Sequence, residues 1–181
     1  MARMVLLEHT LPDGTRHFDW LIEPVGGGPG SNSARAVESG GDPDERCLLS
    51  FRVMDRIDHP KIMAFPADAL PLHRRKYLEF QGDVAGKGSV RRIAGGMVRK
   101  VEIMGHEKEG QMDAVSIRGK FTGPGGGVEY TWAGMRDGDL WQFRRSAPNI
   151  LQNRSTVERS DSNPLTRDLN DDGPWLRPGL F

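Results

Sequence analysis

The sequence has little cysteine and no long apolar stretch. Cys47 is the single cysteine among the 181 residues, so no intramolecular disulfide can form. A chain without disulfides is typical of the cytoplasm, and the predicted location is therefore cytoplasmic. No segment approaches the roughly 20 apolar residues of a membrane span. The first residues, 1–4, are expected to begin a strand and not a signal peptide. We therefore expect a chain without a membrane partner.

Neither sign of charge is in excess. The 25 lysines and arginines balance the 25 aspartates and glutamates, so the formal net charge is zero. This balance argues against a protein that coats nucleic acid through bulk positive charge. Any contact with DNA would have to be made by a local patch.

Short runs of β-branched and aromatic residues recur along the chain between glycine-rich turns, with no internal repeat. This rhythm predicts an all-β fold, either an antiparallel barrel or a sandwich. Of the two we expect a compact antiparallel β-barrel of about eight short strands within residues 1–146. Residues 26–46 are poor in apolar side chains and predict a long loop. Residues 147–181 predict a polar tail that is poorly ordered or else wraps the barrel. The candidate strands are 3–9, 17–23, 47–53, 76–82, 88–93, 97–104, 113–120, 127–133 and 139–145.

The most informative segment is EHTLPDGTRHFDWLIE, residues 8–23. His17 and Asp19 are two residues apart, so on a strand they project from the same face. A turn at residues 12–14 would fold His9 back toward His17. Two imidazoles and one carboxylate, with room for water, form a ligand set suited to a divalent metal. The same set is also that of non-haem iron oxygenases, so a metal-dependent enzyme on small molecules remains an alternative.

The aromatic residues between and after these ligands give the orientation of the strand. Phe18 and Trp20 alternate with His17 and Asp19, and we expect them to point away from the metal and into the core. A slip of one residue in the strand register would reverse this arrangement.

A second group of polar side chains lies in LPLHRRKYLEFQG. His73 and Tyr77 are four residues apart and would lie on one side of a helical turn. An imidazole and a phenol are suited to contacting an oxyanion or transferring a proton. The basic run beside His73 favours a phosphate ligand, although basic runs more often form a solvated face.

These residues resemble the 3′-phosphoesterase domain of bacterial DNA ligase D and its stand-alone relatives. The first signature of that family is matched by His9, a turn, and then His17-Phe18-Asp19-Trp20 followed by Glu23. The second signature has the same spacing as His73, Tyr77, Phe80 and Gly82. A glycine-rich turn at residues 86–90 matches loosely. The resemblance covers residues 4–145, the latter half only in its rhythm of strands and glycines.

The resemblance implies a manganese-type ion held by His9, His17 and Asp19, with His73 and Tyr77 facing a phosphate at a DNA or RNA 3′ end. Family members remove 3′-phosphates and 3′-terminal ribonucleotides and leave a 3′-hydroxyl. The implied partners are therefore DNA or RNA-DNA 3′ ends and, in repair of breaks, a separate ligase and polymerase.

Two positions depart from the family pattern. Leu21 replaces an arginine and Leu7 replaces a glutamine. A leucine cannot form the bidentate contact with phosphate that an arginine makes. The resemblance alone predicts that arginine at position 21 preserves or raises activity. Either another arginine contacts the phosphate, or the chain is a catalytically weak nucleic-acid-end-binding module. The arginines nearest in sequence to the site are Arg16, Arg52, Arg74 and Arg75.

Overall fold

The structure, a computed structural model, describes residues 2–25, 42–106, 111–122 and 127–147. Within these residues there is one short 3₁₀ helix, Arg75–Leu78, and none of the described segments contains a helix with the length and hydropathy needed to cross a membrane. The strands are β1 (Ala2–Thr10), β2 (Arg16–Ile22), β3 (Arg46–Val53), β4 (Ala64–Arg74), β5 (Gly82–Val84), β6 (Gly88–His106), β7 (Gln111–Thr122), β8 (Tyr130–Asp137) and β9 (Leu140–Ser146).

The nine strands form one antiparallel sheet in the order β1-β2-β3-β4-β9-β8-β7-β6-β5. An additional pairing between β1 and β6 closes eight of these strands into a ring. The ninth strand, β5, pairs with the first residues of β6. The predicted antiparallel barrel of about eight strands is therefore confirmed.

Strand β4 is not among the strands that the sequence predicts, because it contains Pro66 and Pro71. Proline has no N–H for a sheet ladder and usually argues against a central strand. Pro66 pairs with β9 only, because the pairing of β4 with β3 begins at the next residue. Pro71 lies after the last residue of β4 that pairs with β9, in an irregular part of the pairing with β3. Each proline therefore has a strand neighbour on one side only, and the missing N–H costs no ladder bond.

Two further strand predictions need correction. The predicted strand 76–82 is the 3₁₀ helix followed by the start of β5. The predicted strands 88–93 and 97–104 are one continuous strand, β6. Gly96 suggested a break between them, but a Cβ there would lie 2.5 Å from the Lys120 carbonyl oxygen and 2.8 Å from Met4 Cε. Glycine at this position permits close packing of neighbouring strands instead of ending one.

Two apolar clusters stabilise the barrel from opposite faces of the sheet. The larger fills the interior and includes Trp20, Phe51 and Trp132, all fully buried. Phe18 is partly buried and packs against it, so the predicted orientation of Phe18 and Trp20 is confirmed. The smaller cluster lies on the outer face, because its members alternate with interior residues along β1 and β2. This outer cluster consists of Val5, Leu7, Leu21, Leu48 and Leu78, with Cys47 and Tyr77 packed against it.

The chain divides into two units, Met1–Pro148 and Asn149–Phe181, and all of the described strands lie in the first. The predicted tail 147–181 lies outside the described residues except for position 147. Most of the predicted loop 26–46 also lies outside them. Residues 42–45 form a turn, and Arg46 already belongs to β3.

Candidate metal centre

The turn between β1 and β2 sets the position of the first histidine. Gly14 adopts a φ of +83°, which glycine accepts without strain. The Asp13 carboxylate accepts hydrogen bonds from the Thr15 backbone N–H (2.9 Å) and hydroxyl (2.7 Å), and these bonds lower the pKa of Asp13. The hairpin that results pairs His9 directly with His17.

The hairpin brings His9, His17 and Asp19 together on the outer face of the barrel; we call these three residues the His-His-Asp cluster. The two imidazole rings are 4.8 Å apart between centroids. His9 Nδ1 and His17 Nε2 each lie 3.5 Å from an oxygen of Asp19. One ligand atom from each residue falls within 4.8 Å of the others. The sequence-predicted ligands therefore converge on one point.

Two of these atoms are buried without a hydrogen-bond partner among the described residues: His17 Nε2 and Asp19 Oδ1. Leaving a buried polar atom unsatisfied costs about 1 to 3 kcal/mol, and more if the group is charged. Burial lowers the pKa of His17, while the negative charge of Asp19 acts in the opposite direction. A neutral imidazole and a carboxylate that face each other fit a divalent cation of the manganese, iron or zinc type.

His9 and His73 each use one ring nitrogen to contact a backbone carbonyl. His9 Nε2 is 2.7 Å from the carbonyl oxygen of Lys87. His73 Nδ1 is 2.9 Å from the carbonyl oxygen of Pro71. A carbonyl accepts and does not donate, so each contact assigns the proton of a neutral ring to that nitrogen. The free lone pairs are then at His9 Nδ1 and His73 Nε2.

A cavity of about 550 Å³ contains the His-His-Asp cluster together with His73 and Tyr77. His73 is at the end of β4, and Tyr77 is on the 3₁₀ helix that follows it. Their rings meet edge to face, with centroids 5.6 Å apart. All five residues predicted to be catalytic therefore line one cavity. Aliphatic side chains supply much of the remaining lining: Leu7, Leu11, Pro12, Leu21, Leu70, Pro71, Val84 and Val90.

Of the four arginines predicted to contact phosphate, Arg52 is the one that lines the cavity in the part of the chain that the structure describes. Arg74 forms an ion pair with Asp44, and Arg75 forms ion pairs with Glu23 and Glu45. Arg16 is exposed at the start of β2, outside the cavity lining. Arg52 is therefore the remaining candidate for the predicted phosphate-binding arginine.

The leucines at the two departing positions are fully enclosed. Leu7 is 2% exposed and Leu21 is 0% exposed, and both belong to the outer cluster. The family resemblance predicts a glutamine and an arginine at these positions. This chain has two aliphatic side chains there, and both pack within the same outer cluster. The two departures thus belong to one apolar patch that lines the same cavity as the His-His-Asp cluster.

Lys87 and Asp13 also line the cavity and were not predicted as site residues. Lys87 lies in the glycine-rich turn between β5 and β6, which matches the family only loosely. The flanking Gly86 and Gly88 were the available signal, since glycines at a turn often mark a close approach of backbone to another group.

Comparison with models of known protein families and with curated protein sequences finds no match to this chain. Its function is therefore inferred from the residues that line the cavity.

Proposed function

We propose that this chain is a metal-dependent phosphoesterase that processes nucleic-acid 3′ ends, removing 3′-phosphates or 3′-terminal ribonucleotides to leave a 3′-hydroxyl. The observation that carries the proposal is the pair of buried, unpartnered atoms His17 Nε2 and Asp19 Oδ1, which lie 3.5 Å apart. His9 Nδ1 lies 3.5 Å from the other carboxylate oxygen of Asp19. Unlike the other buried unpartnered atoms among the described residues, His17 Nε2 and Asp19 Oδ1 belong to a cluster of three metal-ligand side chains, and a bound ion would satisfy both.

His9, His17 and Asp19 would hold the ion, for which manganese is our first choice. When bound, a divalent ion of this kind supplies Lewis-acid polarisation of a phosphoryl oxygen and a bound water of lowered pKa. The three side chains leave coordination positions open, as catalytic metal sites require.

The other polar residues of the cavity have separate roles. The free Nε2 of His73, once protonated, can donate to the leaving oxygen, and the Tyr77 hydroxyl can donate to a phosphoryl oxygen. Arg52 and Lys87 supply positive charge where Asp19 supplies negative charge. A charge-assisted hydrogen bond to phosphate is worth about 1.5 to 3 kcal/mol, enough to decide whether the anion binds productively.

Two observations favour nucleic-acid 3′ ends over other phosphoesters as the substrate. The cavity lining includes the two histidines and the aspartate of the first motif and the histidine and tyrosine of the second, whereas Glu23 of the first motif pairs with Arg75 outside the lining. The balanced net charge fits an enzyme that contacts a strand end locally instead of coating a duplex. The 3′-hydroxyl product would be a substrate for a separate polymerase or ligase.

The enclosure of Leu21 favours a second candidate, a nucleic-acid-end-binding module with weak catalysis. Because position 21 carries an aliphatic side chain, the site has one arginine fewer than the resemblance predicts. A metal-dependent enzyme on small molecules is the third candidate, for which the aliphatic lining of the cavity is the relevant feature.

The test is an assay on primer-templates that end in a single 3′-ribonucleotide or a 3′-phosphate, with manganese or with a chelator. We expect product with manganese only, and loss of product in His9→Ala, His17→Ala and Asp19→Ala. His59→Ala is the matched control, because His59 is exposed and outside the cavity lining. Binding of both ends without turnover would favour the end-binding module. A protein that neither binds nor turns over these ends would refute the proposal.

A further inference from the structure

The turn between β5 and β6 lies against the end of β1 at a distance that only glycine permits. Gly88 has a φ of +89°, and a Cβ built there would lie 1.9 Å from the Thr10 carbonyl oxygen and 3.0 Å from Leu11 Cα. Both are backbone atoms, so no side-chain rotation can relieve the overlap. Any other residue at position 88 must move the turn away from β1.

The same turn presents a carbonyl group to the metal site. The Lys87 N–H donates to the Val84 carbonyl oxygen (2.8 Å), which holds Lys87 within the turn. The Lys87 carbonyl oxygen then lies 2.7 Å from His9 Nε2. This contact joins residues 78 positions apart in the sequence and holds the imidazole ring from the side opposite Asp19.

The carbonyl also decides which nitrogen of His9 is free to bind a cation. A neutral imidazole carries one proton, and the Lys87 carbonyl requires that proton at Nε2. Nδ1 then presents its lone pair toward Asp19 Oδ2, 3.5 Å away, with no proton between the two acceptors. Two lone pairs that face each other at this distance are a suitable pair of ligand atoms for a metal ion.

We propose that Gly88 and the Lys87 carbonyl are the positioning elements of the site, which fix the Nε2–H tautomer and the ring orientation of His9. The expected effect of this contact on metal affinity rests on the proposed function. The expected Nε2–H tautomer of His9 does not depend on it. Groups that hold a metal-ligating histidine in this way typically contribute 10- to 100-fold to metal affinity.

Gly88→Ala and Gly86→Ala form a matched pair of variants. Gly86 lies in the same turn with a φ of +70°, but a Cβ there meets nothing within 4 Å. Both variants therefore carry the strain of alanine at a positive φ, and only Gly88→Ala displaces the turn from Thr10. We expect manganese affinity to fall about 10- to 100-fold further in Gly88→Ala than in Gly86→Ala.

The tautomer is measured directly by ¹⁵N NMR of the histidine rings in the full chain without metal, at a pH of about 8, where an unperturbed imidazole is neutral. His9 is assigned from the spectrum of His9→Gln. The expected result is an Nε2–H tautomer in the wild type and in Gly86→Ala, and a mixture in Gly88→Ala. The wild-type spectrum tests the proposal even if Gly88→Ala fails to fold.

The outcomes separate this inference from the proposed function. An Nδ1–H tautomer of His9 in the wild type, or equal manganese affinity in the two glycine variants, would overturn the inference. An Nε2–H tautomer in a wild-type protein that binds neither manganese, iron nor zinc would support the positioning contact and refute the metal-dependent function.

Discussion

Arg52 on β3 is the direct cross-strand partner of Asp19 on β2, so the guanidinium and the carboxylate leave the sheet on the same face. Both line the cavity, and the positive charge of Arg52 is one of the groups that lower the pKa of His17. A predicted metal ligand and a candidate contact for phosphate are therefore held at a fixed spacing by the sheet itself.

Arg52→Ala should reduce kcat/KM on a 3′-phosphate end by roughly 10- to 100-fold, the loss of one charge-assisted contact of about 1.5 to 3 kcal/mol. Manganese affinity should remain, because Arg52 is not a ligand. Arg74→Ala is the control, since Arg74 pairs with Asp44 away from the cavity. Equal activity of the two variants would show that Arg52 does not contact the substrate.

Leu21→Arg should destabilise the fold instead of restoring a phosphate contact. Leu21 is 0% exposed within the outer cluster, and an uncompensated buried charge costs about 3 to 5 kcal/mol. The prediction from family resemblance alone was preserved or raised activity. Urea unfolding measures the loss, and Leu140→Arg is the control, because Leu140 is 44% exposed and should change stability by less than about 0.5 kcal/mol. A midpoint for Leu21→Arg equal to that of the control would contradict the burial argument.

Manganese should stabilise the protein against unfolding, by about 2.7 kcal/mol when the free ion is at 100 times its Kd. Asp19→Asn should abolish this stabilisation. In chelator, the same variant should be no less stable than the wild type, because Asp19 Oδ1 has no hydrogen-bond partner within the described residues. Thermal unfolding with and without manganese provides both measurements. A manganese effect that survives in Asp19→Asn would place the ion elsewhere.

A nucleoside 3′-monophosphate should compete for the site about tenfold better than inorganic phosphate. The cavity walls offer aliphatic surface from the β1–β2 turn, β4 and β5, and burial of about 60 Å² of apolar surface is worth roughly 1.5 kcal/mol. Val84→Ser should reduce this preference, whereas Met135→Ser, at a residue 67% exposed, should not. Deoxyribose 3-phosphate separates the sugar from the base. Equal inhibition by all three compounds would mean that only the phosphate is bound.

Cys47 should react slowly with alkylating reagents at neutral pH. Burial raises the pKa of its thiol, and the nearby Arg75 only partly opposes this. The thiolate is the reactive form, so the alkylation rate of the folded protein should still be rising at a pH where that of the unfolded chain has levelled off. Because the unfolded chain releases this proton first, the thiol's contribution to stability is present below its ordinary pKa and declines as pH rises above it. Identical pH profiles for folded and unfolded protein would contradict this.

Local patterns were sufficient to predict the polar cluster and its orientation. His17 and Asp19 share a face because side chains alternate along a strand, and one turn is enough to bring His9 opposite His17. Trp20 is buried in the interior for the same reason. These relationships involve neighbouring residues and the period of a strand, which the sequence displays directly.

Relationships between distant residues could not be predicted in this way. Arg75 appeared as available to a phosphate as Arg52, but its ion pair with Glu23 joins residues 52 positions apart. The strand β4 could not be predicted because it contains two prolines. Each is tolerated only because a neighbouring strand is absent on one side, and the sequence does not show which strands are neighbours. The contact of His9 with Lys87 uses a backbone carbonyl, a group that every residue has, so no side-chain motif indicates it.

The closure of the ring between β1 and β6 has a consequence for how the site forms during folding. The β1–β2 hairpin is complete once residue 22 has been synthesised, yet β1 gains its second neighbour only when residues 89–98 are available. Contacts between such distant segments form late, because loop-closure entropy must be overcome first. A nascent chain that ends before β6 therefore carries all three residues of the His-His-Asp cluster without the strand that holds His9 in place. Under the proposed function, tight metal binding would then report that the barrel has closed.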